Sequence, residues 1–274
     1  MTPYERKSDA PPIGPPAMQA GPTTVPHAPL SGYYRDESGR QQYVRELFDR
    51  TAVDYDRVER VLALGSGSWY RRDALRRAGV GRGSAVLDVG CGTGLLAREA
   101  LRLMGPGGRL VGVDVSPGMM AQARLPGCSL LEGVAEALPV EDASFDFVTM
   151  GYALRHLSNL RQACGEFHRA LRPGGTVLVL EITRPAGRMG RAALKAYMRS
   201  VVPLLARMVG RGQDTPVVWR YFWDTIEACV PPQRILDTLL DAGFAQVRRE
   251  LTLGIFSEYL AVRPADSAAR PTAG

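Results

Sequence analysis

Residues 86–94 read VLDVGCGTG, an apolar run that ends in three glycines at alternate positions, Gly90, Gly92 and Gly94. A strand that passes through such a loop into a helix is typical of open α/β sheets, which bind ligands at the carboxyl ends of their strands. Glycine permits positive φ angles and lets a ligand approach the main chain closely. The helix that follows points free N–H groups at the same place. The stretch therefore predicts a loop that binds part of a nucleotide.

Short apolar runs alternate with helical patterns along the middle of the chain. The predicted strands are 85–89, 109–114, 129–132, 145–150, 176–182, 246–252 and 255–262. The helical segments between them are 93–104, 117–124 and 159–171, and a later helix covers about 233–242. The first five runs are nearly continuous in Val, Leu and Ile, which indicates strands buried on both faces. We expect an α/β fold with a Rossmann-like, doubly wound, mostly parallel seven-stranded sheet.

Composition divides the chain into three parts. Residues 1–40 hold eight of the twenty prolines and few large apolar residues, so we expect a disordered tail there, and a second one over 264–274. Residues 41–263 are then expected to form one folded domain. Within it, 184–230 is helical in character and is expected to insert as a lid over the carboxyl ends of the strands.

Cysteine usage and hydropathy exclude several classes of protein. The four cysteines lie far apart without a CxxC pair, so the sequence indicates neither a disulfide framework nor a metal site. No apolar run approaches the length of a membrane span, and no signal peptide is evident, so we expect a cytoplasmic protein. The net charge of +6 does not identify a partner.

Two aspartates limit which nucleotide the glycine loop can bind. Asp114 ends the second predicted strand, where it can accept hydrogen bonds from ribose hydroxyls. The dinucleotide fingerprint GxGxxG sets its third glycine one residue later than the GxGxG found here. Asp88 before the loop disfavours a pyrophosphate but suits an ammonium group. S-adenosylmethionine carries a ribose, an ammonium and a sulfonium but no phosphate, so the pattern favours this methyl donor over a nicotinamide dinucleotide.

Four motifs in chain order resemble the class I S-adenosylmethionine-dependent methyltransferases. They are VLDVGCGTG, GVDVSPGMM at 112–120, ALPVEDASFDFV at 137–148 and LRPGG at 171–175. Within that superfamily the chain resembles the ubiquinone/menaquinone biosynthesis C-methyltransferases, which methylate a ring carbon of a prenylated quinol. The stretches that carry this closer resemblance are 48–72, 151–157, 220–236 and 241–247, and the whole match spans about 45–263.

The resemblance implies how the donor would be held. Asp88 and the glycines would line the methionine and ribose side, Asp114 would hold the ribose hydroxyls, and Met119 or its neighbour would pack on the adenine. The family usually carries an aspartate–alanine pair beside the adenine, and here that pair is Val134-Ala135. The implied cofactor-binding residues are Asp88, Gly90, Cys91, Gly92, Gly94, Asp114, Val115, Met119, Val134 and Ala135.

The acceptor side is predicted from the segment after the fourth strand and from the N-terminal and lid helices. His156 can titrate near neutral pH and act as a general base for a ring hydroxyl. A histidine that caps the next helix or lies at the surface is the alternative. The catalytic candidates are His156, Tyr152 and Asp56, and the acceptor-binding candidates are Tyr55, Trp69, Arg155, Tyr221 and Thr225.

Departures from the family pattern leave the acceptor open. Glu59, Ala63 and His156 stand where the family carries asparagine, serine and asparagine. The alternatives are therefore a specialised-metabolite methyltransferase, a phosphatidylethanolamine N-methyltransferase and a non-catalytic accessory protein that binds the cofactor. A nucleic-acid partner is not expected, because GYALRH follows the fourth strand where base-flipping enzymes carry Asn-Pro-Pro-aromatic. The expected partner is a small, apolar or lipid-like acceptor, and the oligomeric state is left open.

Residues 184–211 carry seven basic side chains and no acidic one. Those at 191, 195, 199, 207 and 211 follow a four-residue spacing beside an apolar stripe, with Pro203 as a predicted kink. Two interpretations remain. The segment is either a lid with a solvated basic face or a peripheral contact with the inner face of an anionic membrane, from which a prenylated acceptor enters.

Overall fold

The computed structural model describes residues 24–62, 66–210, 212 and 214–265. The strands are β1 (Ala85–Val89), β2 (Arg109–Asp114), β3 (Ser129–Glu132), β4 (Phe145–Gly151), β5 (Leu171–Ile182), β6 (Ala245–Thr252) and β7 (Phe256–Val262). They form one seven-stranded sheet in the order β3-β2-β1-β4-β5-β7-β6. The first five strands pair in parallel, and β7 runs antiparallel to both β5 and β6. The predicted fold class is confirmed.

Helices cover both faces of the sheet and its carboxyl edge. They are α1 (Glu37–Leu62), α2 (Gly67–Ala78), α3 (Leu95–Met104), α4 (Pro117–Gln122), α5 (Leu160–Ala170), α6 (Arg188–Ala196), α7 (Val202–Val209), α8 (Thr215–Ala228) and α9 (Pro232–Asp241). A 3₁₀ turn covers Leu154–His156, and a π-helical turn at Tyr197–Val201 joins α6 to α7. Within the described ranges, no helix has the length and hydropathy needed to span a bilayer.

The inner strands of the sheet are buried on both faces, as their continuous apolar runs predict, but β3 at one edge contains no buried residue, so the prediction is wrong for that strand. In β1, Leu87 and Val89 pack into the core beside α5 and α9, whereas Val86 faces the core beside α2 and α3. The apolar stripe of α5, which includes Cys164 and Phe167, is fully buried against the first of these cores. The two cores fix the strand ends, and with them the loops that follow each strand.

A third apolar cluster lies over the carboxyl edge, between α1, α7 and α8. Its centre is formed by Leu47 of α1, Val202 of α7 and Trp223 of α8, all with no exposed surface. The predicted lid over 184–230 therefore has two parts that pack differently. Helix α8 packs over the edge of the sheet together with α1, whereas α6 has no buried residue and lies on the outside.

Residues 24–40, which the sequence analysis assigns to a disordered tail, pack against the domain. Thr24 O accepts a hydrogen bond from Leu160 N at 2.8 Å, and the His27 side chain is buried. The segment packs against the domain because Tyr34 and Arg40 bury their side chains there. The prediction of disorder considered the proline content and did not take this burial into account. The rest of both predicted tails, 1–23 and 266–274, lies outside the described residues.

Candidate active site

A cavity opens at the carboxyl ends of β1, β2 and β4 and contains about 1050 Å³ of empty space, part of it open to solvent. The loops after these strands form its floor. Helix α1 forms most of its roof, and Phe222 of α8 completes it. The position agrees with the general rule for ligand sites in open α/β sheets.

The glycine loop forms one wall of the cavity. Gly90 has φ +66°, and a Cβ atom there would lie 2.6 Å from Ala153 Cβ, so no other residue fits. Gly92 also has a positive φ and lines the cavity, next to Cys91. Gly94 is the N-cap of α3 and does not line the cavity. Its role is to begin the helix rather than to contact a ligand.

Asp114 faces the cavity from the end of β2. Its Oδ1 accepts a hydrogen bond from Ser116 N at 2.8 Å, and its Oδ2 accepts one from Gly92 N at 2.7 Å. Burial raises the pKa of Asp114 to about 6. Each carboxylate oxygen has a second lone pair, so the group can accept two more hydrogen bonds from a vicinal diol. This is the acceptor pattern that the two hydroxyls of a ribose require.

Asp88 lies deeper, at the end of β1. Its Oδ1 accepts a hydrogen bond from Thr149 Oγ1 at 2.7 Å, but Oδ2 has no partner among the described residues although the side chain is fully buried. Desolvation by burial raises the pKa of Asp88 to about 7. A buried carboxylate oxygen without a donor is costly. The ammonium group of S-adenosylmethionine would supply the donor, so the residues present fit this cofactor.

The wall beside the predicted adenine position is apolar. Val115, Met119, Val134 and Ala135 all line the cavity there, as the resemblance implies. Glu136 also lines the cavity, and its Oε1 accepts hydrogen bonds from the backbone N–H groups of residues 158 and 159. It ties the loop after β3 to the start of α5.

His156 lines the other half of the cavity, where three aromatic rings pack against its imidazole. Its imidazole stacks on Tyr221 with ring centroids 5.3 Å apart, and Phe48 and Phe222 meet it edge-on. Neither ring nitrogen has a hydrogen-bond partner among the described residues. Burial, followed by the charge of Arg155, lowers the pKa of His156 well below its usual value. The imidazole is therefore neutral at physiological pH, with its nitrogens available to a ligand.

Tyr152 and Tyr55 line the same half of the cavity. Tyr152 has φ +61°, an uncommon angle for a residue with a side chain, and its N–H donates to Leu180 O at 2.8 Å. The Arg71 guanidinium lies 5.6 Å from the Tyr152 ring centroid. Tyr55 stacks on Trp219 at 5.7 Å. Burial raises the pKa of both phenols, so both stay protonated.

Five other predicted site residues do not line the cavity. Asp56 accepts a hydrogen bond from the Thr93 hydroxyl and forms a 2.9 Å ion pair with Arg98, which ties α1 to α3. Trp69 is 68% exposed on α2. Arg155 is buried in an ion pair with Glu181, and Thr225 accepts a 3.0 Å hydrogen bond from Arg155 Nε. Tyr221 stands behind His156 rather than in the cavity wall.

Several lining residues are absent from the sequence prediction. Those contributed by the helices over the cavity include Gln41, Val44 and Phe48 of α1, Arg71 of α2, and Phe222 of α8. Those of α1 fall at spacings of three and four residues and continue to Tyr55, which is one face of a helix. That periodicity could have identified them. Arg71 carries no comparable signal, since its burial depends on an ion pair with Glu59 at 2.7 Å.

Comparison with known protein families agrees with this geometry. The model of the ubiE/COQ5 methyltransferase family matches residues 36–263. The demethylmenaquinone methyltransferase of Symbiobacterium thermophilum is 31% identical over 224 residues, which cover 78% of this chain and 89% of that protein. The ubiquinone/menaquinone biosynthesis C-methyltransferase of Hahella chejuensis is 30% identical over 234 residues, 82% of this chain and 92% of that protein.

Solved structures share the fold at lower identity. A possible histamine N-methyltransferase from Thermotoga maritima superposes with a TM-score of 0.56 at 21% identity, over 80% of this chain and 99% of that one. Phosphoethanolamine N-methyltransferase 2 of Haemonchus contortus, in complex with S-adenosylhomocysteine, gives a TM-score of 0.58 at 18% identity, over 80% of this chain and 60% of that one. At these identities the likeness concerns the fold alone.

Proposed function

This chain belongs to the ubiE/COQ5 methyltransferase family, and we propose that this S-adenosylmethionine-dependent methyltransferase methylates a ring carbon of a prenylated quinol. One observation carries the proposal. The cavity that contains Asp88 and Asp114 continues into a chamber with aromatic walls, where His156 offers ring nitrogens that have no hydrogen-bond partner in the described part of the chain. A flat hydroxylated ring suits such a chamber, and the relatives' named activities support the choice.

Each residue of the donor half has a role in holding the cofactor. Asp114 accepts hydrogen bonds from the ribose hydroxyls, and Asp88 pairs with the ammonium group. Met119 and Ala135 pack on the adenine. The bound cofactor supplies an electrophilic methyl group on its sulfonium. No metal or further group is required for this chemistry.

His156 acts on the hydroxyl of the acceptor. As a neutral imidazole it accepts a hydrogen bond from the hydroxyl, which raises the electron density on the neighbouring ring carbon. Burial, and after it the charges of Arg155 and Arg40, disfavour an imidazolium ion at this position, so His156 polarises the O–H bond rather than keeping its proton. The ring carbon gains the methyl group as the bond from that group to sulfur breaks, and the ring becomes aromatic again when the hydrogen on that carbon leaves as a proton to water. Phe48, Tyr55 and Phe222 orient the ring, and positioning of this kind lowers a barrier by up to about 7–11 kcal/mol.

The test is transfer of a labelled methyl group to a demethylmenaquinol with a short prenyl chain, kept reduced, with the product identified by mass spectrometry. We expect ring-carbon methylation. His156→Ala should lower kcat/KM about 10²-fold or more, the usual size of a lost acid–base contribution, and leave the affinity for S-adenosylmethionine unchanged. His168→Ala is the matched control, because His168 lies outside the cavity and packs edge-on against Phe244.

A second arm of the assay separates the alternative acceptors. Phosphatidylethanolamine vesicles and a fractionated lipid extract are offered in place of the quinol. Methyl transfer to the phospholipid amine, without transfer to the quinol, would contradict the proposal and favour N-methylation. Tight cofactor binding with no transfer to any fraction would favour a non-catalytic accessory role.

We also propose that the α6–α7 segment rests on an anionic membrane surface, from which a prenylated acceptor reaches the cavity. An outward apolar row on this segment supports the proposal, and two of its residues, Val201 and Met208, belong to the stripe that the sequence predicts. Tyr197, Val201, Leu204 and Met208 fall at spacings of four, three and four residues and are exposed, Leu204 at 59% and Met208 at 74%. The stripe predicted from the sequence is partly turned inward, since Met198 is buried.

Unpaired positive charge surrounds this row. Arg188, Arg191, Arg199 and Arg207 are exposed and form no ion pair with any residue that the structure describes. Exposed apolar side chains flanked by arginine fit an interface with anionic lipid headgroups. A purely solvated lid face gives no reason for the apolar row.

Vesicle co-sedimentation tests this contact. We expect binding to phosphatidylglycerol-containing vesicles but not to phosphatidylcholine vesicles, and the double variant Leu204→Glu/Met208→Glu should reduce binding about tenfold or more. Leu240→Glu is the control, since Leu240 is 54% exposed on α9. Equal binding to both lipids would contradict the proposal, as would a self-association that the double variant abolishes.

A further inference from the structure

Residues 24–34 cross the outside of the acceptor half of the cavity, and we call this segment the strap. It precedes residues 36–263, which match the family model. Thr24 O accepts a hydrogen bond from Leu160 N at 2.8 Å, and Pro26 O accepts one from Val230 N at 2.7 Å. The strap therefore bridges the start of α5 and the end of α8, on either side of the 3₁₀ turn that carries His156.

Arg40 fastens the strap to that turn. Its side chain has no exposed surface. The guanidinium donates to His27 O at 2.6 Å from Nη2 and to Leu157 O at 2.9 Å from Nη1. Glu37 accepts a further bond from Nη2 at 2.9 Å, which balances the buried charge. Leu157 follows His156 directly and itself lines the cavity, so one side chain holds the strap and the cavity wall together.

Two tyrosines of the strap support the ring on which His156 stacks. Tyr33 donates its hydroxyl to Asp224 Oδ2 of α8 at 2.6 Å, and its ring lies edge-on to Tyr221 at 5.0 Å. Tyr34 meets Tyr221 at 6.5 Å. Tyr221 in turn stacks on His156. A continuous series of ring contacts runs from the strap to the imidazole in the cavity.

We infer that the strap is a positioning element of the acceptor site, which sets the orientation of His156 through Tyr221. The inference rests on the proposed acceptor role of His156. Because neither imidazole nitrogen is held by a protein hydrogen bond, only packed rings fix the orientation of the side chain. A reacting hydroxyl is sensitive to small displacements of such a group. Among the described residues, the hydrogen bonds of the strap and its ring contacts do not involve Asp88, Asp114 or the glycine loop, so we expect donor binding to be independent of the strap.

Point variants of the full-length chain test the strap. Tyr33→Phe removes the bond to Asp224, and Tyr33→Ala removes the ring contact as well. We expect KM for the short-chain demethylmenaquinol to rise about threefold and about tenfold, respectively, with the dissociation constant for S-adenosylmethionine unchanged. Tyr259→Phe is the control for the loss of a hydroxyl, because Tyr259 lies on β7 in the core beside α5 and α9 and belongs neither to the strap nor to the cavity wall.

A spectroscopic measurement tests the strap without requiring that the acceptor be known. The chain has three histidines, so ¹⁵N-labelled imidazoles give few signals, and the His156 signals are assigned by their loss in His156→Asn. We expect Tyr33→Phe and Tyr33→Ala to shift the His156 ring signals and to leave those of His168 in place. Unmoved His156 signals in the folded Tyr33→Phe variant would overturn the inference, whichever acceptor is used. An equal loss of donor affinity would also overturn it, since the strap would then support the whole fold.

Discussion

Asp114→Ala is expected to weaken the binding of S-adenosylmethionine about 10²–10⁴-fold, because hydrogen bonds to a charged group contribute roughly 1.5–3 kcal/mol each and the ribose would lose two of them. The substitution also removes the acceptor of a second hydrogen bond, which Gly92 N donates to Asp114 Oδ2 at 2.7 Å. The glycine loop then loses the contact that orients it toward the end of β2. Both effects weaken the binding of the methyl donor, and neither changes the site of the methyl acceptor.

Isothermal titration calorimetry at pH 8 measures the effect, since burial raises the pKa of Asp114 to about 6 and the carboxyl is ionised at that pH. Asp114→Asn should fall between the native protein and the alanine variant, because an amide oxygen still accepts one hydrogen bond. Asp237→Ala is the control, as Asp237 lies exposed on α9. An affinity of Asp114→Ala within threefold of the native value would rule out the ribose role.

Arg155→Met is expected to reduce the free energy of unfolding by about 3–5 kcal/mol, because it leaves the carboxylate of Glu181 buried without a partner. Arg155 and Glu181 are both fully buried in their ion pair, and the guanidinium also lies 4.5 Å from the Phe222 ring. The side chain that the sequence assigned to the acceptor is thus a structural support behind the cavity wall.

Urea unfolding of a double-mutant cycle checks this role. The double variant Arg155→Met/Glu181→Leu should recover most of the lost stability, since removing both charges avoids the unpaired one. Arg161→Met is the matched control, because Arg161 pairs with Asp241 at 3.0 Å on the surface and such pairs contribute about 0–1 kcal/mol. If Arg155→Met were as stable as the native protein but bound the acceptor poorly, the original assignment would be restored.

Most of the sheet could be predicted because its strands have a local signal. The run VLDV is continuous and apolar, and the observed strand Ala85–Val89 has the predicted bounds. β5 is the exception, since it begins at Leu171 and not at 176. The Pro-Gly-Gly sequence indicates a break there, whereas Leu171 pairs with Phe145 across a register irregularity. Pairing with a distant strand is not encoded in the local pattern.

The residues of the donor half of the cavity could be predicted from the sequence better than those of the acceptor half. The donor residues occupy short contiguous motifs, and all of the predicted ones except Gly94 line the cavity. The acceptor half is assembled from α1 and α8, which are separated in the sequence by the first five strands. Whether Trp69 is exposed, or Arg155 buried, depends on which helix covers it. No spacing rule within one segment contains that information.

The close approach of Gly90 and Ala153 limits how this enzyme can be redesigned. A side chain larger than alanine at 153 would extend from the atom that already fills the space beside Gly90, so enlarging it would push on the donor loop. Acceptor scope and donor affinity are therefore not separable at that position. They are separable at Phe48 and Phe222, which line the chamber from the roof. A library of variants intended to methylate new rings should therefore vary Phe48 and Phe222 and keep residue 153 and the glycine loop unchanged.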